Sequence, residues 1–202
     1  MSNKLVILGA GGHGKVVADV AAKNGYEIVG FLDENPTIGT CCGYPVLGGI
    51  EQIDRYRDEC CFVIAIGSNE ARRTIASQYD VEWATLIHPA AVIGADVTIG
   101  VGTVVMATAV ISPAATVGSH SIINTGAVVE HDSRVGDFVH IAPKVALGGT
   151  VFVGNGTQIG IGACVKNNTT ITENVQVGAG AVVIHSIEES GTYAGVPARK
   201  IR

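Results

Sequence analysis

The chain has 202 residues, enough for one or two domains with a sizeable core. It is 47% hydrophobic, 15% charged and 5% aromatic, contains 27 Gly, and carries a formal net charge of −5. An acidic balance with no basic stripe argues against nucleic acid and anionic membrane as partners, and no apolar run approaches the roughly 18 residues that span a bilayer.

The first residues, Met1 to Gly9, run directly into a glycine-rich loop and lack the shape of a signal peptide, so the expected location is the cytoplasm. Lys4 to Leu8 reads as a buried strand, Gly9 to Gly14 as a loop, and Lys15 to Asn24 as a helix. Glu27 to Leu32 is a second strand ending at Asp33. Cys61 to Ile66 is a third, followed by a helix from Asn69 to Tyr79. Strands alternating with helices specify a parallel sheet, here a half-Rossmann βαβαβ domain over residues 1–86. The five cysteines form no C-x-x-C or zinc spacing and receive no function.

Gly9-Ala10-Gly11-Gly12-His13-Gly14 satisfies G-x-G-x-x-G between a strand and a helix, and Asp33 follows Gly14 by 19 residues. Glycines permit close backbone approach, the helix start favours phosphate, and the carboxylate can accept from a ribose hydroxyl. A dinucleotide needs two mononucleotide halves. Only about 86 residues precede the next domain, so one nucleotide, such as a nucleotide diphosphate carrying a sugar, fits better than NAD. Ile66-Gly67-Ser68-Asn69 is expected on the same rim.

From Ile87 the pattern changes. Ile, Leu or Val recurs every six residues from 87 to 183, seventeen positions in all. From Ala91 onward, Ala, Val, Thr or Ser stands two residues before each. This is the hexapeptide signature of a parallel β-helix, with about five triangular coils and the aliphatic residues stacked inside. The second domain is thus expected over residues 87–202.

Between Ile87 and Val183 only eight residues are charged, and four of them, Glu130, Asp132, Arg134 and Asp137, lie within Glu130 to Asp137. His131 falls near a corner, and His140 immediately precedes an inward-facing Ile141, so neither belongs to the core ladder. A histidine can take a proton from an attacking amine or hydroxyl, assisted by a neighbouring carboxylate. Either Glu130 or Asp132 could be that carboxylate, and Asp132 only if the chain bends. The spacing of His120, His131 and His140 does not resemble the histidine ligands of β-helix carbonic anhydrases, and no metal is expected.

Val6 to Gly14, Phe31-Leu32-Asp33, Ala65 to Asn69, Asn124 to Asp132 and Tyr193 to Lys200 together resemble the sialic acid O-acetyltransferase/bacillosamine N-acetyltransferase family of hexapeptide-repeat enzymes. The resemblance implies a left-handed coil and an acetyl-CoA cosubstrate. It also implies a homotrimer with active sites between subunits, and transfer to the 4-amino group of a UDP-linked 4-amino-4,6-dideoxy sugar. By the same resemblance His131 is the general base and Asp132 the residue credited with raising its basicity. His140, Gly160, Ile161 and Ala179 contact the coenzyme, and Gly11, Gly12, His13, Asp33, Glu34 and Gly67 hold the nucleotide sugar. Within the resemblance, sugar O-acetylation of the sialic acid type and a GDP-perosamine or dTDP-amino-sugar acceptor stay open; the residues themselves also leave an NAD-linked oxidoreductase and a non-catalytic scaffold.

Overall fold

The computed structural model describes residues 3–35 and 37–202. Met1 and Ser2, where the first domain and the leader reading begin, lie outside the described residues. The chain divides into two compact units, the first ending at Pro89 and the second beginning at Ala90.

The first unit is a parallel sheet of β1 (Lys4–Leu8), β2 (Glu27–Leu32) and β5 (Cys61–Ile64) in the order β2-β1-β5. The central strand is covered on both faces, which explains its continuous apolar run: Leu5, Val6, Ile7 and Leu8 are fully buried. Helix α1 (Gly12–Lys23) makes the first crossover. The second runs through a small hairpin, β3 (Thr40–Cys41) and β4 (Tyr44–Pro45), and a 3-10 helix, Ile50–Arg55. Helix α2 (Asn69–Gln78) follows β5. Val6, Leu32, Ile53, Phe62 and Ile75 form the core on one side of the sheet, with Trp83 edge-on to Phe62 at 6.4 Å.

Two boundaries differ from the sequence reading. Helix α1 begins at Gly12 rather than Lys15, because Gly14 lies inside the first turn: a Cβ there would collide with the Gly9 carbonyl. Strand β5 ends at Ile64, so residues 65–68 form an open turn at the sheet's carboxyl edge.

The second unit is a left-handed parallel β-helix. Its first face stacks Val92–Ile93, Val110–Ile111, Val128–Val129, Ala146–Leu147, Cys164–Val165 and Val182–Val183. The second stacks Thr98–Ile99 through Arg134–Val135 to Thr170–Ile171. The third includes Ile122–Ile123, His140–Ile141, Gln158–Ile159 and Val175–Val177. Six strands on the first face, among the described residues, make the stack one coil deeper than the hexapeptide count suggested. In each pair the second residue points inward, and Ile111, Val129, Leu147, Val165 and Val183 are buried.

Corners are made by a left-handed residue at every sixth position from Asp96 to Gly180, with φ between +51° and +72°. Ten of these fifteen are not glycine, although each such conformation costs a non-glycine residue roughly 1–2 kcal/mol. The stacking offsets that cost, because every corner from Ala114 onward closes a hydrogen bond to the coil before it, as in Thr150 N–H to the His131 carbonyl at 2.9 Å.

The small residues of the repeat have a second use. Buried Ser121 accepts from Val139 N–H at 2.9 Å and donates to the Gly136 carbonyl at 2.9 Å, bridging to the next coil. Ser133 and Thr157 make the same two-way bridge. Ser121→Ala leaves a buried N–H without its acceptor, so denaturant unfolding of this variant should show a loss of about 1–3 kcal/mol.

Candidate functional site

The glycine loop separates into glycines the fold requires and glycines it does not. Gly9 has φ +106°, donates to the Leu32 carbonyl at 2.8 Å, and a Cβ on it would lie 2.9 Å from the Ala65 carbonyl oxygen. Gly14 is fixed by its approach to Gly9. At Gly11, Gly12 and Gly67, by contrast, a Cβ would meet no protein atom within 4 Å. These three line a cleft of about 400 Å³ together with His13, Asp33, Glu34 and Ile50. All six residues proposed from the sequence for the nucleotide sugar therefore share one cleft. The missing side chains leave backbone open to a ligand, which suits phosphate at the start of a helix that no side chain caps.

Asp33 shapes the loop as well as lining it. Its Oδ2 accepts from Ala10 N–H at 2.6 Å and its Oδ1 from Asn35 N–H at 2.8 Å, so each oxygen retains capacity for a hydroxyl. Glu34 accepts from Ile50 N–H at 3.2 Å. His13 is half-buried, and its Nε2 is buried without a hydrogen-bond partner. Burial, aided by the positive charge of Arg72, pushes this imidazole down to about 4. It is neutral near pH 7 and meets a ligand as a hydrogen-bonding group, not as a cation.

The second cluster lies on the β-helix. Val128–Val129 ends on the first face, and the chain turns at His131 and Asp132 before Arg134–Val135 on the second. Asp132 is a left-handed corner residue, φ +59°. That turn is the bend an adjacent carboxylate needs, and it brings Asp132 Oδ2 to 2.7 Å from His131 Nδ1. Glu130 instead accepts from His131 N–H at 3.4 Å, so the imidazole partner is Asp132. A carboxylate only accepts, which puts the proton on Nδ1 and leaves the lone pair on Nε2. Both side chains are 59% exposed, so the ring can be approached from solvent.

Gly149, which sequence reasoning missed, lies one coil further along beside this ring: a Cβ there would be 2.6 Å from His131 Nε2. The legible signal was its position 18 residues after His131, which is three hexapeptides.

His140 is half-buried on the third face, paired with Ile122 and Gln158. Its Nε2 lies 3.0 Å from Asn124 Nδ2. Asn124 Oδ1 accepts from Thr125 N–H at 2.8 Å, which fixes the amide so that its NH2 group donates to the imidazole. Gly160 and Ile161 follow Gln158–Ile159 at the corner between the third and first faces. Ala179 occupies the same corner one coil on, and Ile161 is 55% exposed. The fold brings Gly160, Ile161 and Ala179 together, but it does not bring them to His131. The corner bearing His131 joins the first and second faces, and in a triangular coil it lies opposite the third face, which carries His140.

Among the described residues, no group of three or more His, Cys, Asp or Glu could hold a metal ion, and no helix is long and apolar enough to cross a membrane. All five thiols are free.

The His13 shift has a measurable consequence. Its pKa is lowered on folding, so between pH 6.5 and 4 the unfolded chain binds a proton that the folded chain refuses. Stability should fall as the pH drops through that window, by up to about 3 kcal/mol. Urea titrations of wild type and His13→Gln should diverge above pH 4 and below pH 6.5, with the variant losing less.

Comparison with known proteins places this geometry. Residues 4–79 match the family described as PglD N-terminal domain. The acetyltransferase domain of PglB from Neisseria gonorrhoeae superposes with a TM-score of 0.94 at 39% identity, covering 99% of this chain and 100% of that one. The same domain has been solved in complex with acetyl coenzyme A. PerB from Caulobacter crescentus, in complex with CoA and GDP-perosamine, superposes with a TM-score of 0.94 at 35% identity, covering 98% of this chain and 97% of that one. UDP-N-acetylbacillosamine N-acetyltransferase of Bacillus subtilis is 38% identical over 112 residues, 51% of this chain and 51% of that protein. This chain spans about half the length, or less, of the curated relatives it matches. The chain belongs to the sialic acid O-acetyltransferase/bacillosamine N-acetyltransferase family of acetyl-CoA-dependent acetyltransferases.

Proposed function

We propose that this protein transfers the acetyl group of acetyl-CoA to the 4-amino group of a UDP-linked 4-amino-4,6-dideoxy sugar, with His131 as general base. The observation that carries the reading is the 2.7 Å pairing of His131 Nδ1 with Asp132, on a side chain that is 59% exposed, which leaves Nε2 as the atom to meet the amine. The cleft lined by Gly11, Gly12, His13, Asp33, Glu34 and Gly67 holds the nucleotide part of the acceptor. His140, Gly160, Ile161 and Ala179 hold the coenzyme. The names of relatives support N-acetylation of a nucleotide-linked amino sugar, with both a UDP and a GDP sugar among them. A GDP-linked acceptor is the second reading, favoured by the GDP-perosamine complex of PerB.

Chemistry at this site is direct transfer. The neutral amine attacks the thioester carbonyl, a C–N bond forms, and Nε2 takes the amine proton. Collapse of the tetrahedral intermediate breaks the C–S bond, and the departing thiolate recovers that proton from Nε2. Asp132 holds the ring orientation and the tautomer throughout.

We further read the protein as a cytoplasmic homotrimer with active sites between subunits. The outward residues of the first face, Val92, Val110, Val128, Ala146, Cys164 and Val182, carry no charge and are mostly apolar. This column runs between the His131 corner and the Gly160 corner. Burying it against a second copy would place one chain's imidazole beside another chain's coenzyme residues, which a single chain keeps apart.

Two experiments test these points. With acetyl-CoA and UDP-, GDP- or sialic-acid-type acceptors, His131→Ala should lower kcat by about 10²–10⁴-fold, and full turnover in that variant would sink the assignment. Gly149→Ala, which displaces the ring without removing it, should cost roughly 10²-fold. In the second experiment, His131→Ala chains are co-assembled with Ala179→Trp chains, each inactive alone. Mixed assemblies should regain part of the activity, and no recovery would argue for sites within one chain.

A further inference from the structure

Among the residues lining the cleft are two carboxylates, Asp33 and Glu34, and no Lys or Arg. An anionic diphosphate must therefore be received by backbone dipoles and by charge outside the lining. Arg72, on α2, is 1% exposed and stands behind the rim. Its Nη1 donates to the Ile66 carbonyl at 3.1 Å and to the Gly67 carbonyl at 3.0 Å, and its Nη2 donates to Asn69 Oδ1 at 2.8 Å. Burial lowers the guanidinium to about 10, so it remains charged at neutral pH.

The peptide plane gives these bonds a consequence. In a trans peptide the C=O and the following N–H point in opposite directions. With the Ile66 and Gly67 carbonyls drawn inward, the Gly67 and Ser68 N–H groups face the other way, and Gly67 borders the cleft. Neither N–H has an acceptor within the described residues. We propose that Arg72 is a positioning residue for the acceptor's diphosphate: it holds the Ile66–Ser68 turn from behind so that the Gly67 and Ser68 N–H groups form a second anion-receiving pair, complementing the start of α1. The guanidinium adds its own positive field in a low-dielectric setting. This inference rests on the reading of the cleft as the nucleotide-sugar site.

Arg72→Lys keeps the charge but replaces the planar fork that spans two carbonyls. Ser68→Pro deletes one N–H at a backbone φ of −69°, which proline adopts without strain, but it also removes the Ser68 Oγ cap on Ala71 N–H; Ser68→Ala, which removes the cap and keeps the N–H, is its control and should bind as wild type does. Calorimetric titration with UDP and GDP, alongside steady-state kinetics, is expected to show binding of at least one nucleotide by wild type. Arg72→Lys and Ser68→Pro should each weaken that binding by roughly tenfold, the size of one hydrogen bond to a charged group. The KM for the nucleotide sugar should rise in parallel, with kcat and the KM for acetyl-CoA unchanged. If wild type binds neither nucleotide, the cleft reading falls and this inference with it. If wild type binds and Ser68→Pro binds equally well, only the positioning role is overturned, and this variant decides alone should Arg72→Lys fail to fold. A loss in Arg72→Lys that extends equally to acetyl-CoA also overturns it, because that is the mark of general destabilisation.

Discussion

The β-helix depends on one backbone constraint: a left-handed residue at each corner, repeated every six positions without interruption. Each corner carries local strain where the residue is not glycine, and within the stack it is held by hydrogen bonds to neighbouring coils. The same constraint makes the site. Asp132 is one of these corner residues, and its φ of +59° folds its carboxylate back onto the preceding imidazole. On a flat strand, neighbouring side chains point to opposite faces, and this pair would not form. The pairing of His131 with Asp132 is therefore a property of the corner as much as of the histidine.

The first unit, in a chain with a net charge of −5, lines its cleft with uncovered backbone instead of cationic side chains. No Lys or Arg is among the residues lining that cleft. His13 is held neutral by burial, Arg72 is set behind the rim, and Gly11, Gly12 and Gly67 leave peptide groups uncovered. Peptide dipoles fixed by the fold require little reorganisation when a ligand arrives. Asp33 is part of that fixing, because its carboxylate ties the glycine loop to the end of β2 through Ala10 N–H.

Much of this was legible in the sequence because it rests on period. The hexapeptide register specified the coil and its inward residues, and the glycine spacing located the cleft residues that the structure gathers. What the sequence left open was contact. It offered Glu130 and Asp132 equally, and only the corner φ decides between them. Gly149 was readable in principle from the 18-residue stacking distance. Arg72 was not, because a single arginine in an amphipathic helix carries no mark of burial, and its partners are backbone carbonyls whose direction no residue type reveals. Helix α1 began earlier than expected because close approach of Gly14 to Gly9, a tertiary contact, outweighed glycine's poor helix propensity.

A regular stack is also a ruler. Adding or removing eighteen residues would keep every corner column aligned and change its length by one strand spacing, about 4.8 Å. A change of six would shift everything beyond it to the next side of the triangle, so that the corner of Ile161 and Ala179 would no longer serve the same edge of the prism. Between the level of His131 and that of Ala179 the chain completes nearly three turns, a rise of about 13 Å. Any distance set between two levels of this stack is thus counted in whole turns and can be retuned only in steps of that size.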